Sequence, residues 1–133
     1  MAKIIIVDDD IEFTGYLSKT LQQAGYEVLA IHQTDGLMEV IVREMPDLLI
    51  LDVMFPDNPV AGFDAARAVR LRSEIKDIPI IMLTAINEEH PMNFAARDID
   101  SAWLPIQDFE EKPITRVKLL NKISKLLNAQ AKK

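Results

Sequence analysis

Acidic and basic side chains in this chain follow apolar runs, at the points where strands would end. Asp8 and Asp9 follow the run IIIV, Asp52 follows the run LLIL, and Lys112 stands in the segment FEEKP. Carboxylates at the ends of hydrophobic strands are costly to desolvate, so a cluster of them usually needs a cation or a proton. Mg2+ is typically held by one or two carboxylates together with phosphate oxygens, and a nearby lysine would pair with a phosphoryl oxygen. The pattern therefore indicates a phosphoryl-transfer site.

Other polar residues have a simpler interpretation. Asp10 precedes a helical pattern and is expected to cap that helix rather than to bind metal. Thr84 follows the apolar run 78–83, and by itself predicts only a hydroxyl group that satisfies the backbone. His32 and His90 have no partner at metal-binding spacing, so we expect both to be surface residues.

The composition limits the class of protein. A chain of 133 residues fits one domain and can bury a full core. The absence of cysteine excludes disulfides, thiolate metal sites and a cysteine nucleophile, and it fits a reducing cytoplasm. A formal net charge of -6 and a pI near 4.9 argue against nucleic acid as a partner. The first apolar run is too short for a signal peptide or a membrane span, so we expect a cytoplasmic protein without membrane contact.

Short apolar runs alternate with longer segments of helical character. The runs cover residues 4–7, 28–31, 48–51, 78–83 and, more weakly, 106–109. Because they are apolar on consecutive residues, they predict strands buried on both faces, which is typical of parallel sheets. Helices are predicted from residue 11 to a left-handed Gly25, from 34 or 35 to before Pro46, and over 65–75, 88–97 and 114–127.

The last predicted helix carries an apolar stripe. Its members recur at helical spacing and are Val117, Leu120, Ile123, Leu126 and Leu127. Five strand-then-helix units with right-handed crossovers form an α/β, doubly wound, five-stranded parallel sheet with helices on both faces. Ligands of such sheets bind outside the carboxyl ends of the strands. The candidate residues fall at that edge.

Four segments, IIIVDDD, LLILDVMFP, IIMLTA and FEEKP, occur in this order and together resemble the receiver domain of two-component response regulators. The resemblance covers essentially the whole chain. It implies a flavodoxin-like fold with strand order 2-1-3-4-5 and a receiver domain over residues 1–128. The short basic tail 129–133 then leaves no output domain, so a stand-alone regulator is expected.

The resemblance also implies residue roles at the acidic edge. Asp52 matches the aspartate that accepts a phosphoryl group from a histidine kinase or a phosphotransfer protein. Asp9 and Asp52 match direct ligands of Mg2+, Asp8 matches a ligand acting mainly through water, and the backbone carbonyl of Met54 is a further ligand.

Three more matches concern the response to phosphorylation. Lys112 matches the phosphate-pairing lysine, Thr84 the switch hydroxyl and Phe109 the switch aromatic. The implied function is a phosphorylation-controlled switch whose surface of fourth helix, fifth strand and fifth helix signals to a partner protein in trans. Such a protein is not an enzyme beyond promoting its own phosphorylation and slow dephosphorylation.

The sequence leaves two alternatives to this function. A phosphatase or phosphotransferase with an aspartyl intermediate also needs Asp and Mg2+, but its second aspartate would stand where this chain has Met54. A degenerate receiver would bind partner proteins without phosphorylation. It is kept open by the segment from Asp52 to Gly62, which is longer than receivers usually have. The segment from Thr84 to Lys112 is also long, with the excess around residues 103–107.

Overall fold

The computed structural model describes residues 2–33, 35–52, 61–84, 108–111 and 115–131. Its strands are β1 (Lys3–Val7), β2 (Glu27–Ile31), β3 (Leu48–Asp52), β4 (Ile80–Thr84) and β5 (Asp108–Glu111). Its helices are α1 (Ile11–Gln23), α2 (Leu37–Glu44), α3 (Ala61–Leu71) and α4 (Arg116–Ala131). The predicted helix over 88–97 lies outside the described residues. Among the described residues, none of the helices combines the length and the apolar character that a membrane span requires.

The five strands form one parallel sheet in the order β2-β1-β3-β4-β5. This arrangement confirms the predicted fold class and strand order. In the centre of the sheet, Ile4 pairs with Val28 on one side and with Leu48 on the other. Strand β5 pairs with β4, with Phe109 beside Met82. The observed β5 ends later than the predicted strand, because three of its four residues are acidic and the apolar pattern did not mark them.

Both faces of the sheet are covered by helices, and successive strand residues alternate between the two cores. Helices α2 and α3 cover one face, whose buried strand residues are Ile5, Val7, Leu49, Leu51, Ile80 and Met82. Helices α1 and α4 cover the other face, whose buried strand residues are Ile4, Ile6, Leu48, Ile50, Ile81 and Leu83. Burial on both faces explains why these strands are apolar at consecutive positions.

The ends of α1 and α2 follow from backbone chemistry. Asp10 caps α1 as predicted, its carboxylate accepting a 3.0 Å hydrogen bond from the Phe13 backbone N–H. Gly25 adopts a φ of 98°, which confirms the predicted left-handed residue after this helix. Helix α2 begins at Leu37, later than predicted, because Gly36 has a φ of 72° and cannot belong to a right-handed helix.

Helix α3 also differs from its prediction. It spans Ala61–Leu71 rather than 65–75. The chain beyond it turns toward β4 and is held by Arg70, whose guanidinium donates to the carbonyls of Lys76 at 2.9 Å and Ile78 at 2.6 Å. The connection is thus fixed by side chain to backbone bonds that apolar periodicity does not report.

The apolar stripe of α4 is correct in part. Ile123 is fully buried as predicted, but Val117 is 69% exposed and Leu119 takes its place in the core. Helical residues are separated by about 100°, so position 117 lies about 200° from position 119 and faces away from the sheet. The helix also continues to Ala131, beyond the predicted end at residue 127.

A charged network closes the amino edge of the sheet. The Lys3 ammonium group lies 3.0 Å from a Glu44 carboxylate oxygen and 3.4 Å from one of Glu27, and the Lys3 backbone N–H donates to Asp47 at 2.8 Å. The hydrogen bond with Glu44 is the main cause that raises the pKa of Lys3. The same bond, followed by a bond from Arg43, lowers the pKa of Glu44. This network lies at the end of the sheet opposite to Asp8, Asp9 and Asp52.

Candidate metal centre

Three carboxylates meet at the carboxyl edge of the sheet. Asp8, Asp9 and Asp52 each contribute one oxygen, and these oxygens all lie within 4.8 Å of one another. Asp8 is 2% exposed and Asp52 is 7% exposed, whereas Asp9 is more accessible. Strands β1 and β3 pair as far as Val7 and Leu51, so Asp8 and Asp52 are neighbours one step further along. The sheet register therefore accounts for the cluster.

The cluster has the chemistry of a site for a hard cation. Two carboxylates at this separation repel each other by about 3 to 4 kcal/mol at an effective dielectric constant of about 20. Such repulsion is costly between the two buried carboxylates, Asp8 and Asp52, and a cation between them would offset it. The donor atoms are all carboxylate oxygens, which suit Mg2+ and Ca2+ rather than softer metals. The residues present thus fit the Mg2+ that the sequence predicts.

The backbone around Asp8 holds its carboxylate in place. The Asp8 N–H continues the sheet by donating to the Ile31 carbonyl at 2.9 Å. The Asp10 N–H donates to a carboxylate oxygen of Asp8 at 2.9 Å. Since Asp10 in turn caps α1, the turn that carries Asp9 connects the end of β1 directly to the first turn of the helix.

The remaining predicted site residues are described only in part. Met54 and Lys112 lie outside the described residues, as do residues 53–60 of the long segment from Asp52 to Gly62 and residues 85–107 of the long segment from Thr84 to Lys112. The backbones of Thr84 and Phe109 belong to β4 and β5, where Thr84 pairs with Glu111. The strand ends thus bring the Thr84 backbone to the same edge as the carboxylates, and the roles of these four residues stay predictions.

One contact near the site was missed from the sequence. His32 is exposed, which confirms its prediction as a surface residue, but its Nε2 lies 3.0 Å from the hydroxyl of the buried Thr14. The two residues are 18 positions apart, so no local pattern connects them. The available signal was that Thr14 lies in the first turns after the acidic run and His32 directly follows β2.

Comparison with known proteins defines the class of this domain. Residues 4–124 match the response regulator receiver domain, so the chain belongs to that family. A solved structure of the chemotaxis protein CheY4 from Vibrio cholerae is 29% identical and has a TM-score of 0.79, covering 95% of this chain and 98% of that chain. The receiver domain of a signal transduction histidine kinase from Syntrophus aciditrophicus is 25% identical with the same TM-score, covering 97% of this chain and 92% of that one.

Similarity to curated proteins extends over a part of each. The chain is 34% identical over 124 residues to the phosphate regulon transcriptional regulatory protein PhoB of Pseudomonas aeruginosa, which is 93% of this chain and 51% of that protein. The chain thus spans about half the length of the curated relatives it matches. The similarity therefore concerns only the part of each of these proteins that the chain matches.

Proposed function

We propose that this receiver domain accepts a phosphoryl group on Asp52 in an Mg2+-dependent reaction and acts as a reversible signalling switch. The donor would be a phosphohistidine of a histidine kinase or of a phosphotransfer protein. The observation that carries the proposal is the meeting of Asp8, Asp9 and Asp52 within 4.8 Å at the carboxyl edge of the sheet. Membership in the receiver family supports it.

In the proposed reaction, a carboxylate oxygen of Asp52 attacks phosphorus in line with the bond to the donor nitrogen. The new phosphorus–oxygen bond forms as the phosphorus–nitrogen bond breaks, and the electron pair of that bond returns to the donor histidine. Asp8, Asp9 and Asp52, with the backbone carbonyl of Met54, would hold Mg2+. When bound, the ion supplies neutralisation of charge on the phosphoryl oxygens.

Other residues would complete the site. Lys112 is proposed to pair with a phosphoryl oxygen and so to stabilise the negative charge of the phosphoryl group during its transfer. The Thr84 hydroxyl is proposed to donate to the acyl phosphate once it has formed, because the new group adds strong acceptor oxygens. Each role is tested by removing the group concerned.

Signalling is proposed to follow from the movement of Thr84. Phe109 would turn inward when that hydroxyl is drawn toward the phosphoryl group, which would alter the surface of the fourth helix, fifth strand and fifth helix of the family fold. Pairing of β4 with β5 supports the idea, since it joins the backbones of these two residues through one ladder. The altered surface would act on a partner protein in trans, in the cytoplasm, rather than on nucleic acid.

The proposal is tested by intact mass spectrometry after incubation with acetyl phosphate. The wild-type protein should gain one phosphoryl group with Mg2+ and none in EDTA, and Asp52→Asn should gain none. Asp47→Asn serves as the matched control, because it removes an aspartate at the opposite edge of the sheet. A folded wild-type protein that gains no mass would overturn the proposal in favour of a binding module that works without phosphorylation.

A further inference from the structure

Thr14 and His32 form a hydrogen bond whose direction can be assigned. The Thr14 hydroxyl lies 3.1 Å from the Ile11 carbonyl and 3.0 Å from Nε2 of His32. A carbonyl only accepts, so the single hydrogen of the hydroxyl is directed at Ile11 and the Thr14 oxygen is left as an acceptor. His32 therefore donates from Nε2–H. Thr14 is 1% exposed, so this donor satisfies an oxygen that has little access to water.

The bond lies beside the acidic cluster. Strand β2 pairs with β1 as far as Ile31, whose carbonyl accepts from the Asp8 N–H at 2.9 Å. His32 is the next residue, and one step beyond the ladder the order across the sheet is His32, Asp8, Asp52. The bond to Thr14 thus connects the end of β2 to α1 at the edge where the carboxylates meet.

The part of α1 that this bond restrains is continuous with the metal-site turn. Thr14 bonds to Ile11, the first residue of the helix, and Asp10 caps the same turn. The Asp10 N–H donates to Asp8 at 2.9 Å, and Asp9 lies between them in the chain. A shift of the first turn of α1 would therefore move the carboxylates that carry the cluster.

We propose that His32 and Thr14 are a positioning pair that holds the first turn of α1, and with it Asp8 and Asp9, in the arrangement that binds Mg2+. The inference rests on the proposed function, because it concerns the same ion. Neither residue would contact the ion. Their effect would be to reduce the number of positions that the two carboxylates occupy before the ion arrives, which is the role of groups that orient metal ligands.

The test measures the dissociation constant of Mg2+ by isothermal titration calorimetry on the unphosphorylated protein. Thr14→Val and His32→Leu each remove one partner of the bond. Thr14→Ser and His32→Gln keep a hydroxyl and an N–H donor in similar places. Thr20→Val is the matched control, since Thr20 is also buried on α1 and its hydroxyl also donates to a helix carbonyl, but it lies more than two turns beyond the start of the helix.

We expect Thr14→Val and His32→Leu each to weaken Mg2+ binding by about three- to tenfold. Loss of a group that directly orients a metal ligand typically weakens binding by about 10- to 100-fold, and a pair acting through a helix turn should do less. The double variant should be no weaker than the more affected single variant, because both remove the same bond. Thr14→Ser, His32→Gln and Thr20→Val should bind within about twofold of wild type.

Three results would overturn the inference while leaving the proposed function intact. The first is an Mg2+ affinity equal to that of the wild type in both Thr14→Val and His32→Leu. The second is a loss of Mg2+ affinity in Thr20→Val as large as that in Thr14→Val, and the third is a loss in the double variant equal to the sum of the two single losses. Urea unfolding without Mg2+ shows whether each variant is folded. If either Thr14→Val or His32→Leu does not fold, the other variant carries the test, because both remove the same bond. A wild-type protein that does not bind Mg2+ would overturn the proposed function and this inference together.

Discussion

Replacing Asp8 by asparagine should make the ion-free protein more stable. The substitution removes one of three clustered negative charges while keeping an oxygen that can accept the hydrogen bond from the Asp10 backbone N–H. It also keeps the size of the side chain, so the neighbouring buried groups need not move. The expected result is a higher free energy of unfolding in EDTA, because the folded state loses repulsion that the unfolded chain does not have.

The size of this effect follows from the geometry. Asp8 takes part in two carboxylate pairs. Its pair with the buried Asp52 repels by about 3 to 4 kcal/mol at an effective dielectric constant of about 20, and its pair with the more accessible Asp9 repels less. Salt and the water that reaches Asp9 screen part of this repulsion, and a net gain of about 1 to 2 kcal/mol is expected. At 100 times the dissociation constant, Mg2+ adds about 2.7 kcal/mol to the wild type but at most about 1.4 kcal/mol to a variant that binds tenfold more weakly. The advantage of Asp8→Asn over the wild type in free energy of unfolding should therefore decrease by about 1.3 kcal/mol or more when Mg2+ is added.

The assay is urea unfolding followed by circular dichroism, with EDTA or with Mg2+. In EDTA the midpoint of Asp8→Asn should lie about 0.5 to 1 M above that of the wild type. Asp47→Asn is the control, because Asp47 also accepts a backbone N–H, at 2.8 Å, but lies at the opposite edge of the sheet. The urea midpoint of Asp47→Asn in EDTA should not exceed that of the wild type, and Mg2+ should stabilise this variant as much as it stabilises the wild type. A midpoint of Asp8→Asn at or below that of the wild type in EDTA would refute the electrostatic reasoning.

Two further predictions concern the scaffold. Arg70→Met should lower the free energy of unfolding by about 2 kcal/mol, because hydrogen bonds from a charged donor contribute about 1.5 to 3 kcal/mol each and the Arg70 side chain is partly exposed. Arg70→Lys should recover part of this loss. An Arg70→Met protein that is as stable as the wild type in urea would contradict the role of this contact. Glu44→Gln should be less stable than the wild type at pH 7, because the lowered pKa of Glu44 in the folded state stabilises the wild type only while this carboxylate is ionised. The difference in stability should shrink as the pH falls below the ordinary pKa of a glutamate, and it should disappear once the pH has passed the lowered pKa of Glu44. Urea midpoints of both proteins from pH 7 to acid measure this, and a difference that grows on acidification would count against the Lys3 contact as its origin.

The sheet and the acidic cluster were predictable because their signals are coarse. Runs of consecutive apolar residues mark strands buried on both faces, and a polar residue after such a run falls at the carboxyl edge. Asp8, Asp9 and Asp52 were found in this way, and their meeting within 4.8 Å follows from the pairing of β1 with β3. No detailed knowledge of side-chain packing was needed for either inference.

The predicted helix start and apolar stripe were wrong where they depend on the conformation of one residue or on the rotation of a helix about its axis. The start of α2 depends on the left-handed Gly36, and the stripe of α4 depends on which residue first faces the sheet, which put Leu119 rather than Val117 in the core. The bond between Thr14 and His32 was missed for a different reason. It joins residues on separate elements, and their proximity exists only once the strands are in register.

The central position of β1 also bears on the order of assembly. Ile4 pairs with Val28 on one side and with Leu48 on the other. The chain between Ile4 and Leu48 is nearly twice as long as the chain between Ile4 and Val28, and closing the longer connection costs only about 0.6 kcal/mol more in entropy. Pairing with β2 around α1 is thus only slightly more local than docking of β3. Asp8 and Asp52 come together only when β3 docks on β1, so an ion that bridges them requires a chain in which these two strands are paired. We expect such an ion to stabilise the folded state, because the unfolded chain does not hold the two carboxylates together.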